Sequence, residues 1–233
     1  MNDLVLNISI GNLLIAFIPV AVVVFIIIKQ NLNVKNTIYA LSRMLGQLLI
    51  IGYFLTFIFE SDSAWVVLAV LTIMVFAASW IALRTIEGKR LTLLLPALYA
   101  ILTGGGITLI IISQGVLSLD PWYWPRYLIP IAGMIFANAM NAISLAAERF
   151  YAEINRGVDI QKSQSIAFNS SLIPIINSLF AVGLVSLPGM MTGQILSGIS
   201  PLLAARYQIM VMCMIFGSAG ISSFLFLHLI KSK

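Results

Sequence analysis

The chain has 233 residues, of which 61% are hydrophobic and only 9% charged, and it carries a net charge of +5. An ordinary soluble domain is about 25% charged, so this composition excludes a soluble globule and describes an integral membrane protein, all-α, in a single domain spanning 1–233. The basic excess does not point to nucleic acid, because the lysines and arginines sit at the ends of apolar runs; the lone Cys213 lies inside such a run and supports neither a disulfide framework nor a cysteine-rich metal site.

A helix needs about 20 apolar residues to cross the hydrocarbon core. The pattern predicts about seven such spans, at 10–28, 37–59, 64–83, 91–113, 127–147, 172–197 and 207–230. Asp3 and no basic cluster precede the first, so the charged head of a cleavable signal peptide is missing and the span is expected to be retained. In the second, Tyr39, Arg43 and Gln47 recur every four residues and share a face. Arg43 stands near a membrane end, where it can snorkel to water. In the fourth, Gly104, Gly105 and Gly106 suit close helix packing, as do Gly217 and Gly220 in the seventh. Trp122, Tyr123, Trp124 and Tyr127 then form an interfacial cluster, and the fifth span carries Asn138 and Asn141 on the face of Met134.

Residues 148–171 form the only sizeable link. Helix formers run from Glu148 to Arg156, Gly157 is a natural stop, and Asp159 can cap a second helix. The charges of Glu148, Glu153 and Asp159 balance those of Arg149, Arg156 and Lys162. An anionic lipid surface asks for a basic excess, so a protein partner fits this link better, although many such loops are merely solvated.

The sixth span departs most from a plain helix. Gly183-Leu-Val-Ser186-Leu-Pro188-Gly189-Met190-Met-Thr-Gly193-Gln194-Ile-Leu-Ser-Gly198 is apolar yet crowded with helix breakers. A broken helix at membrane depth is tolerated only where protein or a water-lined cavity covers the freed backbone, and such breaks mark the moving or substrate-facing part of transporters. Asn177 and Gln194 flank the break. Each buried amide can equally be glue between helices, worth about 0.6 kcal/mol. Met190, Met191, Met210, Met212 and Met214 read as gap-fillers, and His228 lacks a second ligand.

If the N-terminus lies outside, the inner loops and tail hold Lys29, Lys35, Arg43, Arg84, Lys89, Arg90, Arg149, Arg156, Lys162, Lys231 and Lys233. The outer loops hold only Arg126 and Arg206, with Asp3, Glu60, Asp62 and Asp120. This satisfies the positive-inside rule and puts the C-terminus inside. No acidic residue stands at the centre of a span, which argues against proton coupling. There is no phosphate-binding loop, so the chain is not expected to hydrolyse ATP, nor is there a zinc-protease or nucleophile-elbow motif.

Several stretches resemble one family, the FetB-type permeases: the membrane half of a bacterial ABC transporter linked to iron export, with plant members tied to aluminium tolerance. They are Gln47–Tyr53, Gly104–Leu109, Ile129–Met134 with Asn138–Met140, Gly183–Gly193 and Tyr207–Val211, in the family's order. Ala152-Glu153, Gly157 and Pro174 also follow the order of the coupling loop in ABC permeases. The resemblance implies a homodimeric permease in the bacterial inner membrane, exporting a metal ion such as iron. A separate ATPase subunit would bind ATP and magnesium, with no cofactor in this chain. The coupling surface would be Arg149, Glu153, Arg156, Gly157, Asp159 and Lys162; the substrate path would draw on Arg43, Gln47, Asn138, Asn141, Asn177, Ser186, Pro188, Gly189, Met190 and Gln194. Two positions that are usually Asp and Lys in the family hold Asn177 and Phe180 here. The alternatives are a stand-alone carrier or channel, and a membrane scaffold that transports nothing.

Overall fold

The computed structural model describes residues 8–86 and 88–230; Asp3, Lys231 and Lys233 of the charge map lie outside the described residues. All regular structure among them is helical, apart from one isolated bridge between Val182 and Ser186. Among the described residues six helical stretches are long and apolar enough to cross a membrane: Ile10–Lys29, Val34–Phe59, Ala64–Ala82, Arg90–Val116, Pro125–Asn155 and Pro201–Ile230; the remaining span, expected at 172–197, is divided between the helices Ile160–Ala181 and Gly189–Leu196. The protein is a multi-pass membrane protein.

The backbone divides into two compact units, Met1–Glu60 and Ser61–Lys233. In the first, α1 (Ile10–Ile15) and α2 (Phe17–Lys29) form one span with a slight irregularity at Ala16, and α3 (Val34–Phe59) returns. Ser9 caps α1 by accepting from the Asn12 amide at 3.2 Å, and Asn33 caps α3 by accepting from Asn36 at 3.3 Å. Asn31, at φ +53°, reverses the chain after α2.

The second unit contains α4 (Ala64–Ala82), α5 (Arg90–Ile110), α6 (Pro125–Asn155), α7 (Ile160–Ala181), α8 (Gly189–Leu196) and α9 (Pro201–Ile230). α9 packs most extensively on α5 and α6, α4 covers α5 and α6, and α7 lies against α6 and α9. α5 passes into one wide turn, Ile111–Val116, whose hydrogen bonds skip five residues, as from the Leu117 amide to the Ile112 carbonyl. At its other end Arg90 lies 3.8 Å over the Trp80 ring and donates from Nη2 to the Trp80 carbonyl at 2.6 Å, tying α5 to the end of α4.

The boundaries differ from the hydropathy pattern in an instructive way. The fifth span was expected at 127–147, but α6 runs on to Asn155 as one helix. The sixth was expected from 172, but α7 already begins at Ile160. Polar ends of long helices leave the hydrocarbon without ending the helix, so hydropathy marks where the slab ends and not where the helix does. Most of the 148–171 link is therefore helix, and the turn itself is only Arg156–Asp159.

The glycine-rich stripe of α5 divides by function. A Cβ on Gly104 would fall 2.5 Å from Ser222 Oγ and 2.8 Å from the Ser222 backbone nitrogen; on Gly105 it would fall 2.9 Å from the Phe136 ring. Those two let α5 touch α9 and α6. Gly106 and Gly217 have open space, and Gly220 has only ordinary contact with Leu172, so the packing expected at the α9 glycines is not made by them within this unit. Replacing Gly104 with Ala is expected to cost about 1–3 kcal/mol through overpacking, while Gly106→Ala is expected to be neutral; thermal unfolding of the detergent-solubilised chain checks the contrast.

Candidate functional site

The turn between α6 and α7 is built as the sequence suggests. Gly157 adopts φ +80°, its amide donates to the Ile154 carbonyl at 2.9 Å, and the Val158 amide donates to the Glu153 carbonyl at 3.1 Å. This is a Schellman stop, and it needs the left-handed backbone that glycine provides. Asp159 then caps α7, accepting from the amides of Gln161 at 2.9 Å and Lys162 at 3.4 Å. Glu153 is buried and accepts from two arginines one turn away on either side, Arg149 Nη2 at 2.7 Å and Arg156 Nη1 at 3.1 Å. The turn is thus rigid, with Lys162, Asp159 and the outer parts of both arginines facing water. Nearby, Gln164 Nε2 donates to the Leu227 carbonyl at 2.6 Å, strapping α7 to the end of α9.

The depth of the elements follows from length. At 1.5 Å per residue α6 is about 46 Å long, and the hydrocarbon is about 30 Å thick. With the aromatic cluster at one interface, where Trp124 packs on Tyr127 at 4.9 Å, the last turns of α6 stand in water. So do the first turns of the antiparallel α7. Asn138 then lies about 20 Å along α6 from Pro125, inside the slab.

At that depth α6, α7 and α9 leave a cavity of about 120 Å³, open on one side. Asn138, Asn141, Ser171, Pro174, Ser178 and Ile215 line it. Below it Ala142, Ile175 and Ala219 form a buried apolar floor. Asn138 and Asn141 are the amides expected on one face of this span. Ser171 and Ser178 were not expected; their spacing of seven, with Pro174 between them on the same helix face, was the signal available.

One turn beyond Ser178 the helix stops. Val182 leaves helical geometry and Gly183 takes φ +81°. The chain wraps back on itself: the Ala181 carbonyl accepts from Val185 at 2.8 Å, Leu184 at 3.2 Å and Ser186 at 3.2 Å, and the Gly183 amide donates to the Ser186 carbonyl at 3.0 Å. Pro188 then leads into α8, where Thr192 Oγ1 donates to the Pro188 carbonyl at 3.2 Å. Leu184 and Val185 are 90% and 85% exposed, pointing apolar side chains outward from a hydrogen-bonded turn. The interruption is seven residues, 182–188, and not the whole of 183–198. Gly189 and Gly193 are ordinary helical positions with open space around them, and Gly198, at φ +92°, ends α8.

The remaining residues of the expected path lie on other elements. Arg43 and Gln47 lie on α3 in the first unit, where the Gln47 amide oxygen, turned toward the guanidinium, accepts from Arg43 Nε at 3.1 Å and Nη2 at 3.2 Å. Asn177 and Phe180 are exposed and not part of the cavity wall. Ser186, Pro188, Gly189 and Met190 belong to the interruption and the start of α8, while Gln194 lies on α8 with its Oε1 buried and unpartnered. Among the described residues no group of three His, Cys, Asp or Glu side chains comes together as a metal site.

Residues 10–164 and 157–233 match the model of an uncharacterised protein family, UPF0014. The chain belongs to that family. It is 38% identical to the UPF0014 membrane protein slr1647 of Synechocystis, over 80% of this chain and 78% of that one. It is 34% identical to the "Probable iron export permease protein FetB" of Escherichia coli, over 97% of this chain and 92% of the relative. With "Protein ALUMINUM SENSITIVE 3" of Arabidopsis thaliana it shares 35% identity over 89% of this chain and 81% of the relative. No solved structure matches.

If the left-handed turn at Gly183 sets the interruption, Gly183→Ala is expected to destabilise the protein by about 1–2 kcal/mol. Gly193→Ala, in regular helix, is expected to be neutral or mildly stabilising. Paired thermal denaturation curves in the same detergent read the difference.

Proposed function

We propose that this chain is the membrane-spanning permease subunit of an ABC transporter, exporting a metal ion such as iron and driven by a separate ATPase. The carrying observation is the pairing, on one helix, of a rigid water-facing turn at one end and an interrupted backbone at the other, with the polar cavity between them. Force applied at Arg156–Lys162 is transmitted along α7 to Ser178 and the 182–188 turn, and through Gln164 to α9. The relative named as a probable iron export permease supports the substrate.

In this reading the N-terminus lies outside, the C-terminus and the α6–α7 turn face the cytosol, and two copies assemble with two ATPases in the bacterial inner membrane. The chain itself catalyses no reaction; ATP and magnesium belong to the partner subunit. A transporter moves its substrate by binding it differently in two conformations, and residues 182–188 are where the regular hydrogen-bond ladder of this helix lapses.

The test mixes the solubilised chain with the ATPase encoded beside it. A stable complex with altered ATP turnover is expected. Lys162→Glu, on the exposed side of the turn, is expected to weaken assembly about threefold to tenfold, measured by surface-immobilised titration. Absence of any complex, with ATP turnover unchanged, rejects the reading; solute movement by the chain alone in vesicles then favours a stand-alone carrier.

A further inference from the structure

We propose that the water-facing end of the second unit holds a socket for a partner protein, shaped to receive an apolar side chain flanked by a carboxylate. The socket lies where α5 and α7 begin and α6 and α9 end, and its volume is about 420 Å³. Leu93, Phe150 and Ile230 are its buried residues. Ile154 and Ile160 also line it, one on either side of the turn between α6 and α7, and Ile160 is 46% exposed. The proposal deepens the assignment of that turn to a separate ATPase, and rests on it; none of the socket's residues belongs to the charged set of the turn itself.

Its depth separates the socket from the lipid tails. Tyr151 and Ile154 stand about 39 and about 44 Å along α6 from Pro125, and the hydrocarbon is about 30 Å thick. Acyl chains do not reach a wall at that height, so its apolar side chains meet water unless protein covers them. Single apolar residues on a surface are ordinary. A concave group of five, drawn from four helices, is not, and apolar patches of that kind mark contacts with other proteins. The volume equals about fourteen water volumes at ~30 Å³ each, which is room for a bulky anchor side chain of the sort that fills pockets at interfaces.

Charge selects the occupant. Lys89 Nζ lies 4.3 Å from the centre of the Tyr151 ring, and both residues line the socket, so an ammonium is held at its wall. Lys89 makes no ion pair among the described residues. Arg84 and Arg90 are close to it in sequence, against the single acid Glu87. In the orientation proposed above, this side of the membrane carries eleven basic residues and four acidic ones. Of the four, Glu153 is bound between two arginines, Asp159 caps α7, and Glu87 and Glu148 each stand within two residues of a lysine or arginine. A second copy of this chain would set basic excess against basic excess. The complementary surface is a different protein, whose carboxylate reaches Lys89 while its apolar anchor enters beside Ile154 and Ile160.

The experiment titrates the full chain, in nanodiscs of phosphatidylcholine, with the ATPase encoded beside it, and repeats the titration with phosphatidylglycerol added. Saturable binding in phosphatidylcholine alone is expected. Ile160→Glu puts an acid at the first position of α7, where a carboxylate suits the helix dipole and the fold is kept. It is expected to weaken ATPase binding at least about tenfold, as loss of a central anchor does. Lys89→Glu is expected to weaken binding about threefold to tenfold at low salt and little at about 0.5 M salt, where the charge pair is screened; Lys89→Arg is expected to bind as the wild type does. The changes lie on different helices, and thermal unfolding of each variant is read alongside. A complex that forms with wild-type affinity in both glutamate variants overturns this inference and leaves the ATPase assignment standing. Binding that appears only with phosphatidylglycerol gives the socket to lipid and also overturns it. No complex with the wild type under any condition rejects the ATPase assignment, and the inference with it.

Discussion

In a hydrocarbon slab no water is at hand to satisfy an amide or a carbonyl, and each unpaired one costs several kcal/mol. The architecture of this protein follows from how that demand is met. Long regular helices meet it by themselves. Residues 182–188 cannot, and their solution is a turn folded around the Ala181 carbonyl, which accepts from three successive amides. Leu184 and Val185 point outward from that turn, while its amides are paired locally. The turn replaces the regular ladder of α7 with a short, locally paired stretch before α8 begins.

The same accounting explains the serines. Ser79, Thr108, Ser171, Ser178 and Ser223 all donate to a carbonyl three or four residues earlier on their own helix. Such bonds satisfy the hydroxyl without requiring a partner helix, and they tend to bend a helix slightly. Most are buried in packing and have no further consequence. At Ser171 and Ser178 the hydroxyl borders the cavity between α6, α7 and α9.

α5, α6 and α9 pack closely where Gly104 meets the Ser222 backbone and Gly105 meets the Phe136 ring. α7 packs along α6 and is fastened further by the Ile175 floor, the Phe168–Phe224 edge contact at 6.0 Å and the Gln164 strap.

Much of this was legible in the residues. Composition settles the membrane class, Gly157 and Asp159 specify the turn, and the run from Gly183 to Pro188 announces the break, because glycine, proline and capping residues act through their own backbone geometry within a few positions of themselves. The span bounds expected at 147 and 172 fell short of the helix ends at Asn155 and Ile160, which the capping residues did mark, because hydropathy reports the solvent and not the hydrogen bond. Which glycines touch a neighbour, which amides share a wall with Ser171 and Ser178, and that Asn177 stands apart from them depend on how α6, α7 and α9 cross. Those are contacts between residues tens of positions apart, set by the fit of whole helix faces, and no local pattern in the chain encodes them.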